Sequence, residues 1–495
     1  MATNPGTVCA QPSSSGMRGV EDCLVLDIHT NSTNSSEASS PVMVWLHGGH
    51  YSTGSNQGIS FKNLVAEGIV VVALNYRLSI FGFLCLGVAD APGNAGLKDV
   101  VAGLRWIKDN IKAFGGNPNN IVLFGHGSGA AMVDLITLQT HTRGLVHKAI
   151  AQSGSSLAPW AIAYEPVERA QLFGEKLNYS RKSNEELART FVNTNLTALL
   201  TNLNGFKFTD NTPLFAPCLE NPLLDSNDTF MTEAPIDVLR SGNYSKIPFI
   251  TGYTTAEGSL RASEVIENDW LNKMQANFSQ FLQPDLEFVN GSIRNETEAS
   301  IRDRYFQNRI INMETITDYL EYHGDSMILI SVIRGARERA TNSPDQVRLY
   351  EFGYMGSYGQ PWTLDTITLH GARHGRELDY LFGTTAQPRS LITDDTVSTS
   401  LVRRWTMFAH TGVPIALTAP GNASWPPFSA TAMNCFVYSQ PGTANGATEN
   451  LKQDPHQSRM TYWCVGPHTA YIYGGGLSSI VDVQWVKRTI GFHET

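Results

Sequence analysis

Ile121-Val122-Leu123-Phe124 is a short, unbroken apolar run of the kind that forms a buried strand. Ala130 through Leu138 is apolar again, but longer and free of Gly and Pro, which predicts a buried helix. A third rhythm spans Thr396 to Ala409, where Val397, Leu401, Trp405 and Phe408 recur at helical spacing while Arg403 and Arg404 fall on another face. Such an amphipathic helix either packs its stripe on a sheet or pairs with a second copy across a two-fold axis. Cys85 and Cys218 lie in apolar, strand-like surroundings, where free buried thiols are expected. No apolar run approaches the ~18 residues of a membrane span. No Pro/Ser-rich linker, charge block or repeat divides the 495 residues, so one large domain over 1–495 is expected rather than the several a length prior suggests.

The five residues that join the first run to the second are Gly125-His126-Gly127-Ser128-Gly129. Strand, tight turn, helix is the setting of a nucleophile elbow, G-x-S-x-G, in which only the middle residue projects its side chain into the site. Here the middle residue is Gly127, which has nothing to project. A lone G-x-G-x-G would also suit a dinucleotide loop. The motifs around it decide against that.

Upstream stand Val44-Trp45-Leu46-His47-Gly48-Gly49, Asn75-Tyr76-Arg77-Leu78, Gly93-Asn94-Ala95-Gly96-Leu97-Lys98-Asp99 and Phe114-Gly115-Gly116-Asn117-Pro118. Downstream stand Gln152-Ser153-Gly154-Ser155, Phe408-Ala409-His410-Thr411-Gly412 and Trp425-Pro426-Pro427-Phe428. On these residues the chain resembles the type-B carboxylesterase and cholinesterase family, in the family's order from about Cys9 to Trp463. The resemblance implies an α/β-hydrolase fold, a large, mostly parallel central sheet with helices on both faces. It implies an acid at Glu257, within Gly252-Tyr253-Thr254-Thr255-Ala256-Glu257-Gly258, and a base at His374, within Gly371-Ala372-Arg373-His374-Gly375-Arg376-Glu377. It further implies oxyanion positions at Gly49, His50 and Ser128, with an imidazole where the family has its last glycine. Gly127, Glu257 and His374 thus form a vestigial triad, since without a serine the histidine has no hydroxyl proton to take. The His–Glu pair is retained because breaking a buried pair strands a polar group, at ~1–3 kcal/mol. Ser128, one residue on, is expected to point away from His374, and a water activated by His374 leaves a route to slow hydrolysis.

Cys9 and Cys23 match the family's first disulfide, whereas Cys435 and Cys464 bracket a Gly/Asn-rich segment and are candidates to pair. The family's usual first strands before Cys9 have no counterpart, and 465–495 matches no known pattern. Between Cys9 and Cys23 there is no aromatic residue to face a quaternary ammonium, so a choline substrate is excluded.

Among family members that lack the serine, the chain is most similar to the neuroligins, with neurotactin-like proteins second. That implies an extracellular ectodomain binding a protein partner, neurexin-like or of the immunoglobulin type, with calcium at the interface and no other cofactor or metal, and a homodimer. Asn-X-Ser/Thr sequons at Asn31, Asn34, Asn178, Asn195, Asn227, Asn243, Asn277, Asn290, Asn295 and Asn422 suit a glycosylated, extracellular or cell-surface chain whose anchor lies elsewhere. A net charge of −9 argues against nucleic acid and anionic membranes as partners. Two other classes fit the residues less well: an esterase whose serine has been exchanged for Gly127, and a secreted carrier holding an apolar ester in the old gorge.

Overall fold

The computed structural model describes residues 6–31, 39–204, 206–224, 229–286, 288, 291–357, 362–383, 392–416, 424–429, 431–440 and 448–465. Nine strands form one sheet: β1 (Leu26–His29), β2 (Ser40–Leu46), β3 (Val70–Leu74), β4 (Gly116–His126), β5 (Lys148–Gln152), β6 (Phe249–Thr254), β7 (Val347–Phe352), β8 (Asn434–Tyr438) and β9 (Glu449–Gln453). Their spatial order is β9-β8-β7-β6-β5-β4-β2-β3-β1. The seven strands from β8 to β3 pair in parallel, and only the edge strands β9 and β1 are antiparallel. This is the expected α/β-hydrolase sheet.

Both faces of the parallel strands are covered, which is why they read as continuous apolar runs. Alternate side chains of β2 enter different cores. Val42, Val44 and Leu46 join one, with Ala130, Met132 and Val133 of the helix after the elbow. Met43 and Trp45 join the other, with Val397, Leu401, Trp405 and Phe408. These last four lie on the helix Ile392–Thr411, so the predicted stripe packs on the sheet and is not a surface for a second copy. Arg404, expected on a polar face of that helix, is buried instead: its Nη2 donates to Glu449 Oε2 at 2.8 Å and its Nη1 to the Pro414 carbonyl at 2.9 Å. A residue 45 positions away supplies the counter-charge, which helical periodicity alone does not show.

The cysteines depart from expectation in two places. Cys9–Cys23 is bonded, but so is Cys85–Cys218, whose thiols were expected to be free. Their Cα atoms lie 6.6 Å apart, within bridging reach, although 133 residues separate them in sequence. Cys435 is a free, buried thiol in β8, so the pair it was to make with Cys464 is not formed; the Cys464 side chain lies outside the described residues. Asn31, Asn178, Asn195, Asn243, Asn277 and Asn295 are all exposed, as glycan acceptors must be. Asn34, Asn227, Asn290, Asn422 and the segment 466–495 lie outside the described residues.

Candidate functional site

Strand β4 ends at His126 in the middle of the sheet, and the helix Ser128–Leu138 begins two residues later. The turn between them puts Gly127 at φ 59°, ψ −123°, a region that side chains other than glycine's enter only under strain. The elbow conformation is therefore kept, although no side chain uses it. A Cβ placed on Gly127 would have only His374 nearby, with Nε2 at 3.5 Å and Cε1 at 3.9 Å. The vacated position faces the base.

That base is held as a triad requires. Glu257 follows β6 directly, and its Oε2 meets His374 Nδ1 at 2.5 Å. Glu257 Oε1 accepts from the Thr254 N–H and from Ser153 Oγ, both at 2.6 Å. The histidine loop is stitched to the acid's loop: Ala256 N–H donates to the Ala372 carbonyl at 2.9 Å, and His374 N–H donates to Ser259 Oγ at 3.0 Å. Burial pulls the His374 pKa down, but the adjacent Glu257 carboxylate outweighs it and holds the imidazole above its usual value. Ser153 was visible in the Gln152-Ser153-Gly154-Ser155 motif, but only the structure gives it the task of orienting the acid.

The loop opposite packs against the elbow so closely that a Cβ on Gly48 would stand 2.6 Å from the His126 carbonyl. Gly49 has φ 118°, and His50 and Tyr51 follow at 56° and 59°. His50 therefore takes a left-handed backbone that favours glycine, and its ring Nε2 is anchored on the Asn211 carbonyl at 3.1 Å. Ser128 Oγ accepts from the Tyr51 N–H at 3.4 Å, which turns it toward the oxyanion loop and not to His374.

Behind Gly127 lies a second polar group that the motifs did not reveal. The His126 and His374 rings are 4.4 Å apart, centre to centre. His126 Nε2 lies 4.0 Å from Glu377 Oε1, and neither His126 Nε2 nor Glu377 Oε2 has a hydrogen-bond partner among the described residues. Burial, and then the negative charge of Glu257, push the fully buried Glu377 carboxyl up from 4.5 to about 7. A carboxyl raised in the fold favours the folded state fully below pH 4.5, and that contribution is lost as pH rises toward 7. Glu377→Gln should accordingly flatten the fall in thermal stability between pH 5 and pH 7.5; melting curves for parent and variant that stay parallel over that range would contradict it.

Among the described residues, no group of three or more His, Cys, Asp or Glu is placed to hold a metal ion. Nor, among the described residues, is any helix long and apolar enough to cross a membrane.

A parallel sheet with a sharp turn at Gly127 after its central strand, a carboxylate following β6 and a histidine loop bonded to it define an α/β-hydrolase fold. The carboxylesterase family model matches residues 1–463, and the chain belongs to that family. It is 29% identical over 439 residues to a carboxylic ester hydrolase of Bombus ignitus, covering 86% of this chain and 77% of that one. It is 28% identical over 443 residues to venom carboxylesterase-6 of Apis mellifera, covering 86% and 78%. The crystal structure of juvenile hormone esterase from Manduca sexta superposes with a TM-score of 0.81 at 24% identity, covering 96% of this chain and 89% of that one.

Proposed function

We propose that this chain is a non-catalytic member of the carboxylesterase family that works by binding, outside the cell. The observation that carries this is Gly127. Covalent catalysis needs an oxygen on the vacated position, and the structure places the base 3.5 Å from where even a Cβ would be. Two disulfides and the exposed sequons support an oxidising, extracellular setting. In the first instance we read it as an adhesion or receptor ectodomain with a protein partner, on the likeness of its elbow to that of the neuroligins. The relatives named above are esterases, so this adhesion role rests on the chain's own residues. A second reading, a carrier that holds a small molecule, is favoured by the cavity beside His50.

The test is direct. The purified protein should neither turn over short acyl esters nor be labelled by a fluorophosphonate, which requires a nucleophilic oxygen. Stoichiometric labelling of any serine, Ser128 included, would sink the proposal. Capture of cell-surface proteins with and without a calcium chelator then separates adhesion from carriage.

A homodimer belongs to the adhesion reading, but the stripe on Ile392–Thr411 is spent on the core and cannot form it. Light scattering on glycan-trimmed protein at micromolar concentration should give twice the chain mass; a monomer mass throughout would remove the dimer.

A further inference from the structure

The His50 loop borders a cavity of about 210 Å³ whose lining includes neither Gly127 nor His374. Phe206, Phe208, Leu214 and Phe215 supply apolar wall, and His50 and Arg261 supply polar wall. Arg261 is the unusual member, because it is a cation only 3% exposed. Its Nη1 donates to Asn211 Oδ1 at 2.5 Å and its Nη2 to the Thr209 carbonyl at 3.2 Å, both neutral acceptors. Its Nε has no partner among the described residues. Trp270 closes one face of the guanidinium, 4.0 Å from its carbon. The carboxylate nearest in its ion pairs, Glu264, stays 3.9 Å away, outside hydrogen-bond range.

Buried charges in proteins are normally both paired and hydrogen-bonded. The Tyr319 hydroxyl and the carboxylates of Glu264 and Asp210 all attract this guanidinium, but among the described residues no carboxylate stands within hydrogen-bond range of it. Lys207, the other cation of the wall, is half-exposed and already bonded to Glu267 at 3.0 Å. Glu264 also lines the cavity and would repel a dianion, so a single negative charge fits best.

We propose that this cavity binds an amphipathic monocarboxylate, its head group on Arg261 and its hydrocarbon along the phenylalanines. The proposal deepens the carrier reading and rests on it.

Isothermal titration of the whole protein at pH 7 with octanoate, octanol and methyl octanoate tests this. Octanoate should bind at least about tenfold tighter than octanol, the worth of one charge-assisted contact. Arg261→Met should remove that preference while leaving octanol affinity within about twofold. Should the variant fail to fold, the ligand series on the unaltered protein still decides: equal affinity for octanoate and octanol, or no octanoate binding, overturns the proposal. Leu214→Trp, which fills the cavity, should abolish octanoate binding, and unchanged binding would place the ligand elsewhere and overturn it. Hydrolysis of methyl octanoate during the titration would sink the non-catalytic reading separately, leaving the octanoate preference measurable.

Discussion

Gly127→Ser alone should restore little ester hydrolysis, and Gly127→Ser with His50→Gly should be faster by about two to three decades. The structure leaves room for the serine, since its Cβ would meet nothing but the His374 ring, and the base is already oriented by Glu257. Two costs stand against the single change. A side chain at φ 59°, ψ −123° adds strain of ~1–3 kcal/mol, which should appear as lower stability. The larger cost lies across the site, where His50 holds a left-handed backbone and is tied by its ring to Asn211, so that the loop answers to that contact and not to a developing oxyanion. Misplacing one oxyanion donor costs ~3 kcal/mol, or two to three decades in rate. Glycine at 50 frees the loop and opens the wall. Rates of p-nitrophenyl butyrate hydrolysis by the parent, both single variants and the double variant measure this. A single Gly127→Ser variant as fast as the double one would show that His50 is no obstacle.

Asp134→Ala should be among the most damaging single substitutions outside the site, at ~3–5 kcal/mol, because it strands a buried guanidinium. Asp134 sits on the elbow helix Ser128–Leu138 and is fully engaged: it accepts from Ser156 N–H at 2.7 Å, from Ser155 Oγ at 3.2 Å, and from both Nε and Nη2 of Arg339. Arg339 belongs to the helix Ile330–Asn342 and also bonds Thr137 Oγ1 at 2.7 Å. The carboxylate thus locks the elbow helix to a second helix and to the Ser153–Ser156 turn that orients Glu257. Arg240→Ala is the control, since the Arg240–Glu338 pair is partly exposed and 3.9 Å long and should cost under ~1 kcal/mol. Urea midpoints for the two variants should differ clearly. If Asp134→Ala unfolds no earlier than Arg240→Ala, the buried pair is not what holds the elbow helix.

The strand–turn–helix at Gly127 and the segments that bring Glu257 and His374 together were legible in sequence because each sits in a short contiguous pattern whose backbone shape is local: a strand run, a glycine turn, a loop ending in glycine. The sheet was legible for the same reason, in runs such as Ile121 to Phe124. What escaped depends on pairs far apart in the chain. Arg404 reads as surface until Glu449 is brought beside it, and Cys85 reads as a core thiol until Cys218 arrives from 133 residues away. Arg261 lies four residues past Glu257 in a stretch with no pattern of its own; its meaning comes from Trp270, Asn211 and the cavity they share. Helical spacing did find the stripe on Ile392–Thr411, but spacing is silent on whether a face meets the sheet or another molecule.

The Cys85–Cys218 bond bears on where the chain can work. Cys218 lies three residues beyond Phe215, so the bond moors the far end of the cavity wall to the loop ahead of the helix Ala95–Asn110. A tether closing so long a stretch of chain is worth on the order of 4–5 kcal/mol in the entropic account. In the reducing cytosol the bond would open, and that end would be held only by hydrogen bonds such as those of Asn94 to Cys218 and of Ala163 to Pro217. The shape of the cavity and the compartment are therefore linked: the wall is held most firmly where the bond between Cys85 and Cys218 can persist.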